Sequence, residues 1–248
     1  MIEYFNIPAG AQINTPISKT MFADKGDLSS AEKKLLRECV ESFVMKGLIQ
    51  TRTSGIDSYI DENYRYDQLV VAEISITNAT KAEAVANMVQ KNFPAPMVLI
   101  ISAKSYYFWI SWCTKRVNQA DNSKRVLEDI QLTRMFTIDP NDSIASDWVK
   151  SLDLSSIPCD NIKELSDSLG ERLVQLKVAD EVGLFSNTTA ISAEEQRLAL
   201  DQLKLNREQQ NSIKQALKKE SQFNAKLKLT TQLKELQDIE KCIIDKIR

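Results

Sequence analysis

The chain has 248 residues, 43% hydrophobic and 27% charged, with a net charge of −2, so it can bury a sizeable core and is no general polyanion binder. It contains no histidine, which excludes an imidazole base, a Ser-His or Cys-His dyad and any His-ligated metal within these residues. Mg²⁺-dependent phosphodiester chemistry, which needs mainly carboxylates and a lysine, is untouched by that exclusion.

Four scattered cysteines, Cys39, Cys113, Cys159 and Cys242, form no CxxC pair and read as reduced structural thiols of a cytoplasmic protein. No apolar run is long enough to span a membrane, and Met1-Ile2-Glu3-Tyr4 lacks the basic and apolar regions of a signal peptide.

Residues 1–28 read as irregular, punctuated by Pro8, Gly10, Pro16 and Gly26. Ser29 or Ser30 then caps a helix predicted to run to a stop at Lys46-Gly47. It carries Leu35, Leu36, Cys39, Val40, Phe43 and Val44 on one face. Residues 48–58 are a short strand or loop, and Tyr66–Ile76 is the first strong strand. A helix is predicted over Lys81–Lys91, with Ala84, Val85, Met88 and Val89 inward. After Pro94 and Pro96, the apolar run Met97–Ile101 suggests a strand buried on both faces. Lys104-Ser105 turns the chain into Tyr106–Trp112, completing a hairpin, and Arg125–Ile138 adds a further strand. This order implies a mixed sheet with one right-handed crossover.

The expected fold class is therefore α+β: a small mixed β-sheet with packed helices, followed by a C-terminal helical, coiled-coil-like tail. The expected divisions are an α/β domain over 1–138, an acidic helical connector over 139–185 and the tail over 186–248. In the connector, Trp148 and Leu152 anchor a first helical turn. A second helix runs from about Asn161 to Val182 with Leu165, Leu169, Leu173 and Leu176 along one side. Gly183–Ile191, with Asn187-Thr188-Thr189, reads as a linker.

In the tail, Leu229, Leu236 and Ile243 are spaced by seven, with Leu233 and Ile247 four beyond the first and third. That is a short a/d seam, interrupted by Glu240. Ile213, Leu217, Phe223 and Leu227 fall out of its phase, so two antiparallel helices or one helix with a rotating face both fit. Burying a Leu or Ile contributes about 1.5–3 kcal/mol, so the seam needs cover from the preceding helix, the α/β domain, a second copy or a partner. Phe223, Leu227, Leu229, Leu233, Leu236, Ile243 and Ile247 are thus the expected protein-binding residues, with self-association through the same seam. Lys214, Lys218, Lys219, Lys226 and Lys228 make this region locally basic. They are either a solvated helix face or a surface for phosphates or an acidic partner.

For bond-breaking chemistry the weak candidates are Asp67 and Glu73, the latter in Glu73-Ile74-Ser75. A Mg²⁺ nuclease of this type places two carboxylates on the metal and a lysine two residues after the second acid, where this chain has Ser75. No GxxxxGK[ST] or GxGxxG loop occurs, and no cofactor or metal set is expected. Tyr106, Tyr107, Phe108, Trp109 and Trp112 fit either a packed core or base stacking. Cys113 lies beside Lys115 and Arg116, without a histidine to activate it.

Phe5-Asn6-Ile7-Pro8, Ile13-Asn14, Ile17-Ser18-Lys19 and Phe22 resemble the start of the bacterial family called domain of unknown function 4391. The strand through Val71-Ala72-Glu73-Ile74, the Val98–Trp112 hairpin and the segment Lys219-Glu220-Ser221-Gln222-Phe223-Asn224-Ala225-Lys226 extend the likeness. Ser18 departs from the proline common before the lysine. The resemblance implies a companion of helicases and DNA methyltransferases in restriction-like or anti-phage loci, with no catalytic residue to carry over. The leading expectation is a non-catalytic accessory subunit docking on a helicase- or nuclease-type partner. Its rivals are a divergent Mg²⁺ nuclease using Asp67 and Glu73, and a nucleic-acid-binding module using the basic tail face.

Overall fold

The computed structural model describes residues 1–119, 121–139, 141–186 and 191–248, with backbone alone for 121–124 and 129. In chain order the elements are β1 (Gln12–Pro16), α1 (Lys19–Lys25), α2 (Ser30–Cys39), β2 (Val40–Ile49), α3 (Thr51–Ser54), β3 (Tyr59–Ile60) and β4 (Arg65–Tyr66). There follow β5 (Leu69–Ile76), α4 (Ala82–Asn92), β6 (Met97–Ala103), β7 (Tyr107–Asn118), β8 (Asp121–Leu132), α5 (Ser143–Lys150), α6 (Ile162–Val182), α7 (Ala193–Lys219) and α8 (Phe223–Ile247). The chain divides into two compact units, Met1–Leu173 and Val174–Arg248, with the division inside α6. The expected linker residues Asn187-Thr188-Thr189 lie outside the described residues.

The first unit is built on a six-stranded sheet in the order β1-β2-β5-β6-β7-β8. Strands β5 and β6 run parallel, joined through α4, and their neighbours are antiparallel. Every residue of β6 is buried, as expected for a strand covered on both faces. One face carries Val70, Ala72, Ile74, Met97, Leu99 and Ile101 against Phe22 of α1, Leu36 of α2 and Val85 and Val89 of α4. On the other face Trp112 meets α6. Its indole N–H donates to Ser166 Oγ at 3.0 Å, and a Cβ at Gly170 would sit 2.7 Å from its ring. Glycine is thus what allows the helix backbone to approach this ring. Phe108, Phe136 and Trp148 continue that layer, with ring centroids 6.1 and 5.3 Å apart.

The N-terminal third differs from expectation in two places. Residues 1–28 contain β1 and α1 as well as short 3₁₀ turns. The predicted helix from Ser29 to Lys46 ends at Cys39, and residues 40–49 are a strand. The capping box between Ser29 and Glu32 starts the helix as read. Val40, Phe43 and Val44 fit a helical stripe, but they also suit a pleated surface, and pairing with both β1 and β5 supplies ladder hydrogen bonds on two edges. The Lys19 ammonium donates to the Val40 carbonyl at the junction. In α4, Ala84 is exposed rather than inward, and Ala82, Ala86 and Gln90 are buried instead. The Gln90 amide donates to the Met97 and Ser111 carbonyls at 3.3 and 3.2 Å and accepts from Cys113 Sγ at 3.3 Å, so this buried polar group is satisfied.

In the second unit α7 and α8 form an antiparallel hairpin. Asn206 Nδ2 donates to the Leu236 carbonyl at 3.1 Å, and Leu203 and Ile247 share a small core with Val178 and Ala199. Ser192 and Glu195 form a capping box at the start of α7. The hairpin turns at Glu220, whose carboxylate accepts from the backbone N–H groups of Ser221 and Gln222, each at 2.8 Å. Arg207 fastens three helical segments, donating to both Glu181 oxygens at 2.8 and 2.6 Å and to Glu240 at 2.7 Å. These hydrogen bonds raise the Arg207 pKa, and the Arg207 guanidinium holds the Glu240 carboxyl below its ordinary range. Arg207→Lys keeps the charge but loses the fork. It is expected to lower stability by about 1 kcal/mol in urea unfolding. An unchanged midpoint would show that the fork is held without contributing. Because the Glu240 pKa is depressed in the fold, its share is present above the ordinary carboxylate range and lost as pH falls through the folded value.

Candidate interaction surface

The sheet carries a half-buried polar strip where β1, β2 and β5 adjoin. Glu73 on β5 lies opposite Val44 of β2, and Lys46 Nζ sits 3.6 Å from Glu73 Oε2 and donates to Asn14 Oδ1 at 3.0 Å. Beside it, Ser75 Oγ donates to Glu41 Oε2 at 3.0 Å. Lys46 also lines a shallow hollow of about 280 Å³ with Glu3, Asn6 and Gln12. Asp67 is elsewhere, paired with Arg65 at 3.1 Å before β5 begins. The strand from Leu69 to Glu73 alone covers about 13 Å. The structure therefore does not bring Asp67 and Glu73 together, and each carboxylate faces a different cation. Among the described residues no group of three acidic or thiol side chains could hold a metal. Lys46 was missed in the sequence because the helical reading made it a stop signal. A strand reading of 40–49 would have put it in the sheet, but the register break between Met45 and Gly47 and the pairing with β5 are what set it beside Glu73.

The aromatic run of β7 is largely interior: Phe108, Trp109 and Trp112 are buried, Tyr107 is half-buried and Tyr106 is exposed. Three of the five rings considered for base stacking, Phe108, Trp109 and Trp112, are thus core residues. Cys113 and Lys115 are buried as well. The Lys115 ammonium donates to the Phe93 carbonyl at the end of α4 and lies 6.0 Å from the Phe93 ring centroid. Burial pushes its pKa down from 10.5 to about 8, with Cys113 opposing and Arg125 adding to the shift. Between those two values the unfolded chain holds the proton that the folded chain has lost, so stability rises with pH through this window. The difference between wild type and Lys115→Met should change by on the order of 1 kcal/mol between pH 8 and 9.5, favouring wild type at the higher pH. Urea unfolding at both pH values measures it, and a pH-independent difference would contradict the depressed pKa. The window stops short of pH 10, where Tyr66, whose pKa is raised mainly by burial, begins to act in the opposite direction.

The hairpin offers a different kind of surface. On α8, Leu229, Leu233, Leu236 and Ile243 are half-buried and Ile247 is buried, whereas Phe223 is 78% and Leu227 56% exposed. The helical turn of α7 into α8 gathers Lys214, Lys218, Lys219, Lys226 and Lys228, all exposed, at the same end as Phe223 and Leu227. Farther along, one face of the pair is hollowed. Spaces of about 390 and 270 Å³ share Gln209, Leu236 and Ile239 and extend from Ile213 to Leu205 and Ile243.

A mixed, helix-covered sheet in one unit and a helical hairpin in the other define this molecule. The chain belongs to the family described as Domain of unknown function (DUF4391), whose model matches residues 5–239. No curated protein and no solved structure matches it. Of the residues that carry the N-terminal likeness, Phe5, Ile7, Ile17 and Phe22 are buried, so this part of it is structural. Among the described residues no helix is long and apolar enough to cross a membrane.

Proposed function

We propose that this chain is a non-catalytic interaction subunit of a bacterial anti-phage or restriction-like defence complex, docking onto a helicase- or nuclease-type partner through the tip of its helical hairpin. The observation that supports the reading is the exposure of Phe223 and Leu227, one turn apart at the start of α8. An aromatic and a leucine left in water at a rigid helix end are suited to anchor a partner, and each contributes about 1.5–3 kcal/mol when covered. The lysines around them steer an acidic surface to the same place and leave DNA as a secondary contact. The family resemblance supports the setting, since it implies a companion of helicases and DNA methyltransferases.

Co-expression with the products of neighbouring genes, followed by capture on this chain, tests the proposal. Phe223→Ser combined with Leu227→Ser should reduce capture at least tenfold while the urea midpoint stays within about 0.5 kcal/mol of wild type, because both side chains are already exposed. Capture that is undiminished in the double variant removes the docking role of the tip. Duplex DNA binding that weakens steeply with salt, without any protein capture, would favour the nucleic-acid reading instead.

A further inference from the structure

We propose that the hollowed face of the α7–α8 hairpin binds the same face of a second copy of this chain, with the two hairpins antiparallel in a four-helix arrangement. The face is unfilled, and its lining sets Leu205, Ile213, Leu236, Ile239 and Ile243 among mostly uncharged polar side chains. Leu198 and Leu205 on α7 are 57% and 56% exposed and Ile239 on α8 is 49% exposed. Two adjoining hollows open beside Leu205 and Ile239, and Glu235 is the one charged residue in their lining. Depletion of charge around exposed leucine and isoleucine is the composition of an interface core.

The charge pattern selects the occupant. Residues 208–234, around the turn, carry six lysines against Glu208 and Glu220. Residues 193–207 and 235–248, at the open end, carry seven acids against six basic residues. A second hairpin laid antiparallel places each basic tip against this nearly balanced end with its seven acids, whereas a parallel copy would set lysines beside lysines. The pattern is self-complementary about a two-fold axis near Gln209 and Leu236, as an isologous contact requires. The size also fits. Helices of 27 and 25 residues run about 40 Å at 1.5 Å per residue. A two-helix face of that length covers roughly 700–800 Å² per copy, which is what a specific pair buries.

Analytical ultracentrifugation of the full chain at 10–100 µM (about that range suffices for an interface of this size) tests the proposal. The expected result is a mass twice 28.1 kDa. Leu205→Asp with Ile239→Asp should return a monomer of unchanged helix content, since both positions are exposed. Lys228→Glu should weaken the dimer at least fivefold by setting an acid where a lysine faced the acids of its mate's open end. A wild-type monomer throughout, including one that instead takes a different protein onto this face, overturns the proposal. So does a dimer indifferent to the Leu205 and Ile239 changes, and a Lys228→Glu dimer of unchanged affinity overturns the antiparallel arrangement. The Phe223→Ser, Leu227→Ser variant should stay dimeric, so failure of this interface and failure of tip docking are read separately.

Discussion

The burial of β6 on both faces is the constraint from which the first unit follows. A strand with no solvent-facing side needs cover above and below, and its parallel pairing with the largely buried β5 needs a crossover, which α4 supplies. Two of the polar groups that this geometry traps are met locally. Gln90 spans from α4 to the backbone of β6 and β7, and Lys115 reaches the carbonyl that ends α4. On the opposite face, Gly170 lets α6 lie directly on Trp112. The Lys46–Glu73 pair occupies the part of the sheet where the side chains are only half-buried, so its charges remain hydrated.

The hairpin is organised differently. Much of what joins α7 to α8 is polar: Asn206 reaches a backbone carbonyl, Gln210 donates to Asn206 and Glu240, and Arg207 forks between Glu181 and Glu240. Contacts of this kind add less stability than their short distances suggest, because desolvation offsets part of their attraction. Leu198, Leu205 and Ile239 face outward instead. A helical pair with a polar join and a greasy outer face is suited to associate further.

Strong local signals made part of this architecture legible. The capping box at Ser29, the uninterrupted apolar run at Met97–Ile101, and the turn at Lys104-Ser105, where both residues take left-handed φ of 52° and 64°, are short-range features. Residues 40–49 were illegible for a physical reason: Val40, Phe43 and Val44 satisfy both a 3.6-residue period and strand propensity, and partners distant in sequence decide between them. Lys46 was hidden by the same ambiguity, since its neighbour Glu73 is supplied by another strand. Ala84 was misplaced because alanine marks neither face of a helix strongly.

By itself the sequence determined the α+β class, the strand that must be buried twice, the lack of any imidazole chemistry, and the helical end with its lysines. Each of these depends on composition or on residues within a turn or two of one another. Tertiary structure alone decided that Asp67 and Glu73 stay apart, that Phe108, Trp109 and Trp112 are interior, and that the leucines of the α8 seam are half-buried while Phe223, Leu227 and Ile239 remain in water. Those outcomes depend on which strands and helices become neighbours, and that choice is made by burial summed over the whole chain.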